Sequence, residues 1–332
     1  MSGRLALALR IVAIGAVAAC LWWFFRQMEW DRLGRALEGA KVWPIALAAA
    51  LNFGCLWGKA ACWRIMLAPR HPVPIRRLFR YTIAAFAGSV IAPARAGEVL
   101  RLWTLKRRDG VPVSDSAAVA VAEKLLDGVS MLLLVAPVPW LLPDLPSWVE
   151  RSILICASVA AAALVGLYIA VGRVKGGSDA AWFKRFVAGM HVVRSGRRLL
   201  GSLAVLVGVW VCDLVLVNLV LYAVGIDLPL AAGILILFTL NLTIMVPSTP
   251  AQIGALELGA IAATRLLHVP DEPALAFALL YHALQVVPLV IVGLLLELRL
   301  VLGREPAPAE GEAAEGEPAE GEVIPAAQIA RR

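Results

Sequence analysis

Three charged side chains interrupt an apolar stretch of membrane-spanning length between residues 117 and 142. They are Glu123, Lys124 and Asp127. On insertion scales each costs roughly 2.5 to 3.5 kcal/mol at the centre of a bilayer, so all three need a compensating environment. Lys124 and Asp127 share a helix face, as do Glu123 and Asp127. These charges therefore lie near an interface, pair with one another or face a polar cavity, and a purely structural ion-pair cluster stays an alternative.

A second charged group surrounds a break in the apolar stretch from residue 79 to residue 105. Pro93 and Gly97 interrupt the stretch, and Arg95, Glu98 and Arg101 lie beside the interruption. A helix that starts after such a break offers free N–H groups and a positive dipole end to an anion. The sequence therefore predicts an anion-binding turn, in which Glu98 bridges the arginines or takes a proton or cation. In the alternative interpretation, Glu98 only bonds the backbone of the turn.

Another broken stretch runs from residue 230 to residue 267, with its breaks at Pro247, Pro250 and Gly254. The polar groups around the break are uncharged except for Glu257, which follows Gln252 by five positions; they are Asn241, Thr243, Ser248, Thr249, Gln252 and Glu257. Because proline and glycine free backbone groups that lipid cannot satisfy, both stretches are predicted to be pairs of half-helices lining a polar space.

The last apolar stretch, residues 274 to 298, carries a histidine, His282, between Tyr281 and Gln285. An intramembrane histidine is either a hydrogen-bonded packing residue or a proton carrier. The same ambiguity applies to Asn52, Lys59, Asp213 and Asn218. The predicted substrate-binding residues are Arg95, Glu98, Arg101, Glu123, Lys124, Asp127, Gln252, Glu257 and His282.

These residues are carried by a chain that composition places in a membrane. Of its 332 residues, 61% are hydrophobic and 17% charged, and the mean hydropathy is +0.80. This excludes a water-soluble globular protein. We predict an all-α polytopic membrane protein with two broken helical hairpins and about six full spans. The spans are residues 5–25, 42–67, 117–142, 149–171, 201–224 and 274–298.

The distribution of Lys and Arg predicts the orientation. Basic clusters lie at residues 70–80, 106–108 and 173–198, whereas the loops at 143–151 and 225–229 are nearly free of them. By the positive-inside rule, the basic segments and both termini are cytoplasmic. The two broken hairpins then enter from opposite sides. Both contain a P-A-x-x-G sequence, starting at Pro93 and Pro250. We interpret them as an inverted repeat, the arrangement that many transporters use at a midplane site.

The chain is predicted to divide into a membrane domain, residues 1–302, and an acidic tail, residues 303–332. The tail has seven Glu against three Arg and is otherwise rich in Ala, Pro and Gly, so we expect disorder. No metal-ligand cluster, nucleophile triad or phosphate-binding loop is recognisable in the aqueous segments. We therefore expect no enzyme activity, cofactor or metal. The net charge of +7 indicates topology and lipid contact rather than nucleic-acid binding.

Three segments together resemble a known family. They are Pro93-Ala94-Arg95-Ala96-Gly97-Glu98-Val99-Leu100-Arg101, Glu123-Lys124-Leu125-Leu126-Asp127 and Val246-Pro247-Ser248-Thr249-Pro250 with Gly254 and Glu257. The chain is similar in them to the flippase-like membrane region of bacterial lysylphosphatidylglycerol synthases and its stand-alone relatives. Lys124 stands where that family usually has Arg, and Ala251 where it often has Gly. The resemblance implies a multi-pass protein of the bacterial inner membrane that handles lipids or lipid-linked molecules.

Function is then expected to be translocation of a lipid or lipid-linked anionic substrate, with membrane lipids as partners. Arg95, Arg101 and Lys124 would contact the head group, while Glu98, Glu123 and Asp127 would tune those cations or couple a proton. One alternative is an accessory subunit that presents lipid to a biosynthetic enzyme without moving it. Another is a membrane-embedded glycosyl or acyl transferase. The oligomeric state does not follow from the sequence.

Overall fold

A computed structural model describes residues 39–68, 70–91, 96–143, 145–173, 195–244 and 250–301, together with Arg26 and Gly34. Within these ranges the regular structure is entirely helical, as the sequence predicts. The predicted first span, residues 5–25, and the acidic tail lie outside the described residues.

The helices are bounded as follows, in chain order. They are α1 Val42–Leu67, α2 Ile75–Ile91, α3 Ala96–Asp109, α4 Val113–Val135, α5 Val138–Leu141, α6 Ser147–Arg173, α7 Gly196–Ala223, α8 Leu230–Ile244, a 3-10 turn Pro250–Gln252, α9 Ala255–Leu266 and α10 Asp271–Val301. Both stretches that the sequence breaks at proline and glycine are helical on either side of the break: α2 and α3 form one hairpin, α8 and α9 the other.

Three helices of the described chain are long and apolar enough to cross a membrane. They are α1, α7 and residues Asp271–Gly293 of α10. The predicted spans at 117–142 and 149–171 overlap α4 and α6, which are not among these three helices, so the full number of six spans stays a prediction. At the first of these, the helix starts four residues earlier than predicted and ends at Val135 rather than 142. Pro137 has no backbone N–H to continue the α4 ladder, and the separate short helix α5 follows it.

The antiparallel helices α1 and α7 form the most extensive helix pair among the described elements. At the end where α1 starts and α7 finishes, the Lys41 backbone N–H donates to the carbonyl of Ala223 over 3.2 Å. At the same end Trp43 is exposed and packs against Tyr222. An aromatic pair at a helix end is typical of the level of the lipid head groups.

The buried core has two main parts. A large cluster unites α7, α8, α9 and α10, and includes Phe277 and Leu235. A smaller cluster joins α1, α2, α3, α4 and α7 around Trp63, Leu105 and Leu206. By contrast, the apolar side chains of α6 are largely exposed, as in a helix that faces lipid.

Candidate functional site

Two polar sites lie within the helices. We call the first the charged cluster and define it by three ion pairs: Arg101–Glu123, Lys59–Asp127 and Lys124–Glu98. We call the second the His282 turn, which consists of Pro250–Gly254 with Glu257 and His282. They are described in that order below.

Glu123 lies at the buried end of the charged cluster. The indole Nε1 of Trp63, on α1, donates to its Oε2 over 2.5 Å. The same oxygen lies 3.7 Å from Nη1 of Arg101, on α3. The side chains of Arg101 and Glu123 are only 5% and 8% exposed. Because a buried carboxylate is costly unless it is compensated, Glu123 ties α1, α3 and α4 together at this point.

Besides Glu123, Arg101 contacts Thr82 and the ring of Trp63. Its Nη2 donates to the hydroxyl of Thr82 over 2.8 Å, and that hydroxyl donates to the carbonyl of Leu78. Its guanidinium lies over the Trp63 ring, 3.7 Å from the centroid, within range of a cation–π interaction. Its buried Nε has no hydrogen-bond partner among the residues that the structure describes. One donor of this arginine thus remains for another ligand.

The second ion pair joins α1 and α4. Nζ of Lys59 lies 2.5 Å from Oδ1 of Asp127, and both side chains are largely buried. Trp210, on α7, donates from its indole to the backbone carbonyl of Asp127 over 3.1 Å. One turn earlier on α1, the thiol of Cys55 donates to Oδ1 of Asp213 over 3.5 Å. A polar track therefore continues from α4 to α7.

The third ion pair is the most open. Nζ of Lys124 lies 2.8 Å from Oε1 of Glu98, and their side chains are 47% and 43% exposed. This pair joins the first turn of α3 to the middle of α4. Since an exposed ion pair contributes at most about 1 kcal/mol, Lys124 and Glu98 can exchange partners at little cost.

The three pairs balance in charge, with three cations against three carboxylates. Of the three environments that the sequence leaves open for Glu123, Lys124 and Asp127, mutual pairing is not what the structure has. Each of them pairs with a side chain of another helix. The reason is geometric, because α4 packs against both α1 and α3, and each of these helices brings opposite charges to it.

The first break is only partly described. Pro93 and Arg95 lie outside the described residues. Gly97 lies within the first turn of α3 rather than in the turn that precedes it. Its role is close packing: a Cβ at Gly97 would overlap the carbonyl oxygen of Ala85 and the hydroxyl of Ser89 on α2. A glycine here lets the two half-helices of the hairpin meet backbone to backbone.

The second break contains the strained backbone of the His282 turn. Pro247 lies outside the described residues, and Pro250 begins the 3-10 turn. Ala251 and Gln252 have φ of 54° and 61°, in the left-handed region that non-glycine residues seldom adopt. Gly254, with φ of 85°, precedes α9, and its N–H donates to Oε2 of Glu257 over 2.8 Å. This is the carboxylate half of a capping box.

His282, on α10, closes this turn. Its Nδ1 lies 2.6 Å from Oε1 of Glu257, and its Nε2 lies 2.8 Å from the carbonyl oxygen of Ala251. The side chain of His282 is fully buried, whereas that of Glu257 is 19% exposed. Gln252, which follows Ala251 in the turn, is exposed. The structure thus brings Glu257 and His282 together, but on different helices from the charged cluster.

Sequence reasoning missed Trp63 and Thr82, and it left Lys59 ambiguous. A signal for two of them exists, because Cys55, Lys59 and Trp63 are spaced by four residues and therefore share one face of α1. Thr82 carries no such signal, since its contact with Arg101 depends on how α2 packs on α3. Over the described ranges, no group of three or more His, Cys, Asp or Glu side chains is placed to hold a metal ion.

The fold and the two sites define a helical membrane protein with compensated charges buried between its helices. The chain belongs to the family of the lysylphosphatidylglycerol synthase TM region, whose family model matches residues 7–293. This match confirms the resemblance drawn from the sequence motifs, and it relates the chain to lipid modification or transport. No curated protein matches the chain.

Proposed function

We propose that this protein translocates a lipid or lipid-linked molecule with an anionic head group. The observation that carries the proposal is the gradient of exposure along the charged cluster. Its outermost pair, Lys124–Glu98, is about half exposed, while the pair Arg101–Glu123 is almost fully buried. Charged groups at membrane depth are expensive, and in membrane proteins they mark pathways for polar substrates.

The head group first meets Lys124. A phosphate can replace Glu98 as its partner, because the exposed pair is held by little free energy. The next donor inward is the buried Nε–H of Arg101, which has no partner among the described residues. An N–H of a guanidinium is well suited to a phosphate oxygen. Glu98 and Glu123 keep the cations compensated while no substrate is bound.

The two broken hairpins support an inverted repeat around this path. Each consists of two half-helices, α2 with α3 and α8 with α9, and the matching P-A-x-x-G sequences start at Pro93 and Pro250. The 3-10 turn of the second hairpin packs against α2 of the first. We place the protein in the bacterial inner membrane with both termini cytoplasmic, so that the hairpins enter from opposite sides.

The proposal assigns no enzyme activity to the chain and takes membrane lipids as its partners. An accessory subunit that only presents lipid to a biosynthetic enzyme would use the same head-group contacts. The two functions differ in one respect: translocation changes the distribution of lipid between leaflets without another protein, whereas presentation does not.

A reconstitution experiment separates them. The purified full-length chain is placed in vesicles that contain phosphatidylglycerol with a fluorescent acyl chain, and the outer-leaflet fluorophore is bleached by an impermeant reductant. Translocation predicts that the protected inner fraction falls well below the half that protein-free vesicles retain. Retention of that half by vesicles with folded protein contradicts the proposal.

A matched pair of variants tests the site. Lys124→Gln removes a cation from the charged cluster, and Arg265→Gln removes one from the exposed Arg265–Asp271 pair between α9 and α10. We expect slower translocation with Lys124→Gln and an unchanged rate with Arg265→Gln. Equal rates for the two variants contradict the assignment of Lys124.

A further inference from the structure

We propose that Glu257 and His282 form a proton-binding pair that holds the His282 turn closed, and we call this pair the latch. With the proton bound, His282 bridges Glu257 of α9 to the backbone of Ala251. When the proton leaves, the bridge to Ala251 is lost and the turn opens. The proposal follows from the hydrogen bonds of the turn and does not depend on which substrate the protein moves.

The number of protons follows from two acceptors that contact the imidazole, the carboxylate of Glu257 and the carbonyl of Ala251. The carbonyl of Ala251 can only accept, so Nε2 of His282 must carry a hydrogen to bond it over 2.8 Å. Nδ1 lies 2.6 Å from a carboxylate oxygen of Glu257, and one hydrogen must lie between these two atoms as well. Whether that hydrogen belongs to the ring or to the carboxyl, the pair holds one proton more than a neutral imidazole with an ionised Glu257.

After this proton leaves, His282 has one ring hydrogen for two acceptors, the carboxylate of Glu257 and the carbonyl of Ala251. The stronger bond is the one to the charged carboxylate, so the remaining ring hydrogen stays at Nδ1. Nε2 then presents a lone pair to the carbonyl oxygen of Ala251, and that contact becomes repulsive. The released proton goes to water, and the buried carbonyl of Ala251 is left without its donor.

The backbone of the His282 turn is strained. Ala251 and Gln252 both have left-handed φ, at 54° and 61°, which costs free energy that a bound His282 offsets. Ala251 is buried against the core, whereas Gln252 is exposed. Without the hydrogen bond from His282, the turn relaxes and Ala251 becomes accessible to water.

The structure connects the His282 turn both to solvent, through Glu257, and to the charged cluster, through α2. The carboxylate of Glu257 is 19% exposed and His282 is fully buried, so the proton reaches the imidazole through Glu257. The 3-10 turn packs against α2, which forms a hairpin with α3, the helix that carries Glu98 and Arg101. Opening of the turn therefore acts on the hairpin that bears part of the charged cluster.

Several titratable groups on the neighbouring helices are engaged elsewhere. Tyr281, next to His282, accepts a hydrogen bond from Gln285 and interacts electrostatically with Asp213 of α7 and Cys55 of α1. Arg265 of α9 is paired with Asp271 at the exposed end of α10. On α2, the side of the hairpin that meets the turn, Tyr81 lies near Asp109. The remaining charged groups of α1 and α2 are Lys59, Arg64, Arg76, Arg77 and Arg80.

Cysteine reactivity measures the latch directly. In the full-length protein without its native cysteines, Ala251→Cys at the buried position reports opening. Gln252→Cys, at the exposed position next to it, corrects for reagent access and thiol ionisation. The ratio of the two labelling rates is measured from about pH 5 to about pH 9. We expect it to rise about tenfold with pH, the order of effect that loss of one buried hydrogen bond has on an opening equilibrium.

Glu257→Gln supplies the decisive control. The Gln amide can donate to Nδ1 of a neutral His282, while its oxygen still accepts from the Gly254 N–H. These two hydrogen bonds and the one from Nε2 to Ala251 therefore survive without a titrating proton. We expect a low ratio at all pH values. The proposal is overturned if the labelling ratio does not change with pH in the protein that retains Glu257, or if it rises equally in Glu257→Gln. Failure of Glu257→Gln to fold also contradicts it. This experiment does not measure transport. A negative result therefore rejects the latch and does not bear on the proposed function, which the reconstitution experiment tests.

Discussion

The guanidinium of Arg101 and the carboxylate of Glu123 are joined through the indole of Trp63, which stacks under the first and donates a hydrogen bond to the second. Arg101 and Glu123 themselves lie 3.7 Å apart, too far for a direct hydrogen bond. The stability of the pair therefore depends on an aromatic residue of a third helix, α1.

This arrangement predicts a large loss of stability when Glu123 loses its charge. Glu123→Gln keeps an acceptor for Trp63 but leaves the cation of Arg101 buried without a counter-charge. We expect a loss of roughly 3 to 5 kcal/mol, as for other broken buried ion pairs. The measurement is the temperature at which the purified chain loses its monodisperse peak in size-exclusion chromatography. A melting temperature close to the wild-type value contradicts the prediction.

Glu98 is expected to behave in the opposite way. Its pair with Lys124 is half exposed, so Glu98→Gln should change stability by less than about 1 kcal/mol. Translocation should fall while the amount of protein in the membrane stays near normal, since Glu98 acts by its charge. Asp271→Asn, in the exposed pair with Arg265, is the control. A proportional loss of protein and transport in Glu98→Gln would instead indicate that this residue only stabilises the fold.

Gly97 and Gly208 should differ sharply when replaced by alanine. A Cβ at Gly97 overlaps the backbone of Ala85, whereas one at Gly208 on α7 meets nothing within 4 Å. We expect Gly97→Ala to separate α2 from α3 and to lower the yield of folded protein. Gly208→Ala should leave the yield unchanged or slightly higher, because alanine favours a helix. Fluorescence-detected size-exclusion chromatography of both variants decides the matter, and equal yields count against close packing at Gly97.

The proposed inverted repeat predicts the side from which each break is reached. Single cysteines at Ala94 and Gln252, in a protein without native cysteines, should both react with small polar thiol reagents. The first should be labelled from the cytoplasm and the second from outside. Inside-out and right-side-out vesicles with an impermeant reagent provide the measurement, and labelling of both from one side rules out the repeat.

The acidic tail is predicted to be independent of the membrane domain. Its composition of Glu, Pro, Ala and Gly has too little apolar surface to bury. Removal of residues 303–332 should therefore leave membrane insertion, melting temperature and translocation unchanged. Loss of folded protein after this truncation would show that the tail belongs to the folded unit.

Much of the architecture is local in origin, and the sequence predicts it. The helical membrane class follows from the length of the apolar runs, because a chain in lipid must satisfy its backbone hydrogen bonds within each segment. The helix breaks follow from proline and glycine, since these residues act on the backbone where they stand. Hence α1 matches its predicted bounds, and both broken hairpins coincide with pairs of half-helices.

What only the tertiary structure decides is the partner of each charged group. The sequence singles out Glu123, Lys124 and Asp127 but leaves open whether they pair with one another, lie near an interface or face a polar cavity. Their partners Arg101, Glu98 and Lys59 lie on other helices, and Ala251, the backbone partner of His282, lies in a turn remote from it in sequence. Such contacts depend on how each helix is rotated and packed against its neighbours. That rotation is the sum of many apolar contacts along each helix, which no single motif in the sequence specifies.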